Sequence, residues 1–234
     1  MRGWKRWVLI SGIVVVVLVV GGPFVYFHFI QGPAPKPFSL DTVTTTADSS
    51  SGSTTPTSAL SSLDGTWKVA SGSQAGYRVK ETLFGQSATA VGRTSSITGS
   101  FTLAGTQVST ASFTVDMTKV SSDRSQRDDQ FQGRIMDTAH FPTATFVLTS
   151  PIDLGSVPAT GVKVSPKATG KLTLHGTTKT VTITLSAERS GNTIQVVGST
   201  PITFSDYGIN NPSGGPASVG NSGTLEVQLV LAKS

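Results

Sequence analysis

Gly170-Lys171-Leu172-Thr173-Leu174-His175-Gly176-Thr177-Thr178-Lys179-Thr180-Val181-Thr182-Ile183-Thr184-Leu185 reads as two half-buried strands joined by a turn. Leu172 and Leu174 alternate with Lys171 and Thr173, and Val181, Ile183 and Leu185 alternate with threonines. Successive side chains of a strand point to opposite faces, so this spacing buries one face and leaves the other wet. The intervening His175-Gly176-Thr177-Thr178 carries the glycine that a tight hairpin favours. The same period of two recurs at Phe101/Leu103, Phe113/Val115/Met117, Phe146/Leu148, Ile194/Val196 and Leu225/Val227/Leu229/Leu231. Further hairpin signals lie at Leu103-Ala104-Gly105-Thr106 and Arg189-Ser190-Gly191-Asn192. About eight such strands predict an all-β domain over residues 63–234, an antiparallel barrel or sandwich.

One segment interrupts the pattern. Ser121-Ser122-Asp123-Arg124-Ser125-Gln126-Arg127-Asp128-Asp129-Gln130-Phe131, running on to Asp137 and His140-Phe141-Pro142, concentrates charge in a chain that is only 13% charged, where soluble domains carry about 25%. Ser125 with Asp128 has the spacing of a capping box, and Phe131 and Ile135 stand four apart, so a short helix is expected in this connection. Such a segment closes one end of a barrel. Its charges have two readings. Asp123, Arg127 and Asp128 pair with one another and with backbone to fix the connection, or Arg124, Arg127 and Asp128 form a polar mouth that recognises a ligand head. Structural ion pairs commonly mimic sites, which favours the first.

The N-terminal part is different in kind. Val8 to Phe27 is a run of twenty residues without charge, the length that spans a bilayer core as a helix. It exceeds the apolar stretch of a signal peptide, so an uncleaved anchor is expected within residues 1–30. Arg2, Lys5 and Arg6 precede it, and positive flanks stay cytoplasmic, which places the remainder outside the cell membrane at the envelope. Residues 31–62, rich in Ser, Thr and Pro, have little to bury and predict a disordered stalk.

Several function classes lose support. The net charge of +5 is partly a tail effect: from Leu63 onward fourteen Lys/Arg face eleven Asp/Glu, scattered singly, so nucleic acid is not an expected partner. There is no cysteine, and His28, His140 and His175 have no ligand spacing, so no metal or cofactor is implied. No G-x-S-x-G elbow, P-loop or G-x-G-x-x-G occurs. An Asp128/Asp137 carboxylate pair has nothing to set its separation. No catalytic residue is assigned, and the chain is not expected to be an enzyme.

Three motifs carry a resemblance. Ser122-Asp123 through Arg127-Asp128 to Phe141-Pro142-Thr143-Ala144-Thr145-Phe146, then Gly170 to Val181, then Ser205-Asp206-Tyr207-Gly208-Ile209 are similar, in order and spacing, to the YceI-like polyisoprenoid-binding family, here over about Asp64 to Lys233 and in the form of an actinobacterial-type membrane-anchored member. The resemblance implies an extended, lipocalin-like barrel that holds an isoprenoid or other long-chain amphiphile, such as a quinone tail or polyprenyl lipid, for storage, transport or protection. Ser73-Gln74-Ala75-Gly76-Tyr77 and Phe204-Ser205 stand where family members often carry His-Ser and an Arg.

A barrel of this size either fills itself with side chains or leaves room for one ligand. The residues alone leave that open, and the resemblance tips it towards a cavity. Phe101, Phe113, Met117, Phe146 and Leu172 are the expected lining, with small residues at Ala88, Ala90, Gly99, Ala111, Ala144 and Gly170 making room. The competing expectation is an envelope interaction domain with a filled barrel.

Overall fold

The protein is described by a computed structural model covering residues 34–40, 63–83, 85–214 and 217–234. The expected anchor over Val8 to Phe27 lies outside these residues. Among them the strands are β1 (Gly65–Val69), β2 (Gln74–Leu83), β3 (Gln86–Thr94), β4 (Ile97–Ala104), β5 (Gln107–Asp116), β6 (Ser121–Ser122), β7 (Thr143–Leu148), β8 (Ile152–Asp153), β9 (Lys163–Val164), β10 (Lys167–Leu174), β11 (Thr177–Ser190), β12 (Thr193–Thr203), β13 (Ala217–Val219) and β14 (Ser222–Lys233). One short helix, α1 (Ser125–Gln130), runs into a π-helical turn at Phe131–Ile135.

These strands make eight staves in up-and-down order. β1 and β2 form the first, β3 and β4 the second, β5 and β6 the third, and β7, β10, β11, β12 and β14 the rest. Each stave pairs antiparallel with the next. β14 then returns to the first stave, pairing with β1 from Trp67↔Lys233 to Val69↔Leu231 and with β2 from Arg78↔Thr224 to Gln74↔Gln228. The sheet is closed, which removes its edges. The expected all-β antiparallel barrel with one short helix is the observed fold.

Local chemistry explains the joints. The turn between β10 and β11 is His175-Gly176, both residues at positive φ, the geometry that matches strand twist in a two-residue hairpin. The first stave breaks at 70–73, where buried Ser73 Oγ donates to a backbone carbonyl and accepts from Val230 N–H at 2.9 Å, satisfying backbone groups that the break exposes. α1 departs from its expected start. Ser125 is not its cap; Arg124 occupies that position without a side-chain capping bond. Asp128 instead accepts from Ser122 N–H and Oγ–H at 2.8 and 2.6 Å, tying the helix back to β6.

Part of the expected stalk is ordered on the barrel. Residues 34–40 lie against its outer wall, with Pro35 and Lys36 carbonyls accepting from Arg78 and Arg93. Composition gave this segment little to bury, and the arginines that receive it come from elsewhere in the chain.

Candidate functional site

The barrel encloses a cavity of about 1270 Å³. Two buried clusters bound it: Trp67, Phe101, Leu103, Leu229 and Leu231 towards one end, and Met117, Phe131, Leu172, Leu174 and Phe204 towards the other. The barrel is therefore hollow between these clusters and partly open to solvent, so the competing reading of a filled core does not describe it. The cavity exceeds the roughly 300–1,000 Å³ of ordinary small-molecule pockets.

The structure places Phe101, Phe113, Met117, Phe146 and Leu172 on the cavity wall. The small residues behave less uniformly. Ala90 and Ala144 line the cavity, whereas the glycines make room for protein. A Cβ at Gly99 would meet the Phe113 ring at 2.8 Å and Ser112 O at 2.2 Å, and one at Gly170 would meet the Phe146 ring at 2.5 Å. Each ring thus lies over a glycine of the neighbouring stave, as the pairings Gly99↔Phe113 and Gly170↔Leu148, next to Leu172↔Phe146, require. Flattened rings widen the lumen where upright ones would cross it. Ala88 and Ala111 are not among the lining residues.

α1 and the π-helical turn cross one end. Phe131 and Ile135 turn inward there, as does Tyr77 from β2, whose ring stacks on Phe131 at 5.0 Å between centroids and 13° between planes. Tyr77 fits because Gly92 faces it; a Cβ there would meet its ring at 2.4 Å. Burial pushes the Tyr77 phenol well above its ordinary value; Arg127 opposes the shift, while Asp128, Glu81 and Asp123 add to it. The phenol is neutral at any physiological pH.

Arg127 is the hub of this mouth. Its guanidinium pairs with Asp123 and, at 3.2 Å, with Glu81 Oε1 on β2. Arg124 Nε stands 3.6 Å from Asp123, and partial burial together with neighbouring Arg127 holds its guanidinium below the ordinary value. Arg124 and Arg127 both line the cavity, whereas Asp128 does not, being engaged with Ser122. Arg134 fastens the turn to the 209–214 loop by donating to Pro212 O at 3.0 Å. His140 is exposed and pairs with Asp137, and His175 contacts Tyr207 O from its turn; neither faces the cavity.

Two residues of the mouth, Tyr77 and Glu81, escaped the sequence reading. Their signal was the inward set Ala75, Tyr77, Val79, Glu81 and Leu83, an apolar alternation broken by one carboxylate. A charge on a buried face is the informative exception. What the arrangement can do is hold a long apolar molecule, with guanidinium and phenol donors at one end for a polar head.

Comparison with known proteins gives two findings. The model of the YceI-like domain matches residues 67–231. Among solved structures, a polyisoprenoid-binding domain from Saccharophagus degradans, implicated in plant cell wall breakdown, superposes with a TM-score of 0.60 at 18% identity, over 73% of this chain and 99% of that one. BcnA of Burkholderia cenocepacia does so with a TM-score of 0.53 at 23% identity, over 68% and 95% of the two chains. No curated protein matches the chain.

Proposed function

We propose that this chain, which belongs to the YceI-like domain family, binds one long-chain isoprenoid lipid, a quinone tail or a polyprenyl chain, inside its barrel and stores, carries or shields it at the cell envelope. The observation that carries this reading is the apolar cavity of about 1270 Å³ with Tyr77, Glu81, Arg124 and Arg127 on its wall at the end that α1 crosses. The polyisoprenoid-binding domain of the same fold supports the ligand class. Each buried CH₂ contributes about 0.8 kcal/mol, so the tail supplies affinity, and Arg124, Arg127 and Tyr77 orient the head. An anchor over Val8 to Phe27 would keep the barrel beside the bilayer in which such lipids dissolve.

Solvent extraction of the purified protein followed by mass spectrometry tests this directly. An isoprenoid should be recovered at close to one per chain. A protein that carries none and also takes up no added long-tailed quinone would end the proposal. Phe113→Asp and Phe146→Asp place a carboxylate on the apolar wall, and uptake should fall at least 100-fold; unchanged uptake by folded variants would put the ligand elsewhere.

A further inference from the structure

On β14 Glu226 alternates with the inward Leu225 and Val227, and its side chain is only 4% exposed. It is paired in register with Gly76, as is Arg93, and it lies 3.4 Å from Arg78 Nη2 and 3.1 Å from Arg93 Nη2. Gly76 keeps this part of the outer wall flat, since a Cβ there would meet Gly92 O at 2.2 Å and Arg93 Cγ at 2.9 Å. Seated on the two arginines are residues 34–40. Arg78 Nη2 donates to Pro35 O at 2.7 Å, Arg93 Nη2 donates to Lys36 O at 2.5 Å, and the Phe38 ring lies 4.0 Å from Arg93 Cζ.

The two sides are chemically matched. Guanidinium groups only donate hydrogen bonds. Pro35 and Pro37 have no N–H, so the segment is depleted in donors and presents carbonyls. Proline also holds the backbone extended beforehand, which lowers the cost of ordering it on a surface. Phe38 then covers a planar cation with an aromatic face.

We propose that residues 34–40 are an intramolecular latch, which binds the outer wall of β2, β3 and β14 and ties the barrel at that face to the N-terminal part of the chain. With the latch seated, about six residues (28–33) separate the docked segment from Phe27, at most ~20 Å of chain, whereas the roughly 35 residues to position 62 could reach beyond about 100 Å. Where Val8 to Phe27 is a membrane anchor, a reading on which this consequence rests, the latch sets the height and the facing of the barrel above the bilayer.

The chain has no cysteine, so a spin-label pair at Lys36→Cys and Lys80→Cys can be placed in the full chain in lipid nanodiscs. The parent should give one narrow distance distribution. Adding Phe38→Ala and Pro37→Gly, changes outside every strand of the barrel, should broaden it towards the ~30 Å expected for a flexible tether of roughly 27 residues. A broad distribution in the parent overturns the latch. A narrow distance found only between singly labelled chains that have been mixed also overturns it, by assigning the site to a second copy. Quenching of a fluorophore at Lys80→Cys by headgroup quenchers should fall when the latch is mutated; a narrow 36–80 distance without quenching leaves the latch in place and refutes the anchor reading.

Discussion

Arg78 and Glu81 are three residues apart on one strand, and they belong to opposite worlds. Arg78 points outward, where with Arg93 it encloses Glu226, one acid between two bases, beneath residues 34–40. Glu81 points inward, where with Asp123 it flanks Arg127, one base between two acids, at the cavity mouth. The outer cluster is the drier at its centre, since Glu226 is 4% exposed and Arg127 is 14% exposed. An ion cluster covered by its own chain is committed to structure. One that borders a cavity is open to a ligand.

The sharpest way to break that contrast is to remove the central charge of the outer cluster. Glu226→Gln leaves two arginines facing each other, and the domain should lose about 3 kcal/mol of unfolding free energy in denaturant titrations, the low end for breaking a buried pair because both arginines are partly exposed. A loss below about 1 kcal/mol would mean that the outer cluster is no drier than the inner one.

The mouth is probed by pH. The folded-state pKa of Tyr77 is raised above an unfolded value of about 10, so its contribution is fully present below pH 10 and is lost as pH rises through the folded value. Stability should fall above pH 10 with a slope of up to about 1.4 kcal/mol per pH unit for this one group. Tyr77→Phe should flatten that slope and leave the part due to Tyr207, which burial raises as well. A slope unchanged by the substitution would place the Tyr77 phenol in water.

The smallest effect is expected at the exposed end of the inner cluster. Asp123→Asn should cost less than about 1 kcal/mol of stability, because an ion pair with one half-exposed partner is weak. A loss comparable to that of Glu226→Gln would make the mouth a structural keystone of the barrel.

Much of the fold was readable because strand alternation and turn chemistry are local. Leu172/Leu174, Val181/Ile183/Leu185 and Leu225 to Leu231 fall on β10, β11 and β14, and Gly105, Gly176 and Gly191 sit in the turns at positive φ. β2 was harder to see, since Glu81 interrupts its inward set. Phe101, Phe113, Phe146 and Leu172 reach the cavity wall because they alternate inward on β4, β5, β7 and β10, and Met117 does so from the helical turn that follows β5. Of the polar trio, Arg124 and Arg127 reach the cavity while Asp128 is turned to Ser122, a choice that depends on where α1 starts.

Alternation along the chain established that there are staves, which face of each is apolar, and that charge gathers in one connection. It could not establish what those apolar faces enclose. Gly99 and Phe113 are adjacent only because β4 and β5 pair in one register, and Gly170 receives Phe146 only because β7 and β10 do. Whether rings lie flat and leave a lumen, and whether residues 34–40 find two arginines from different strands, are decided by contacts distant in sequence. Such contacts exist only once the sheet has closed, and for that reason the hollow interior and the latched outer wall belong to the tertiary structure.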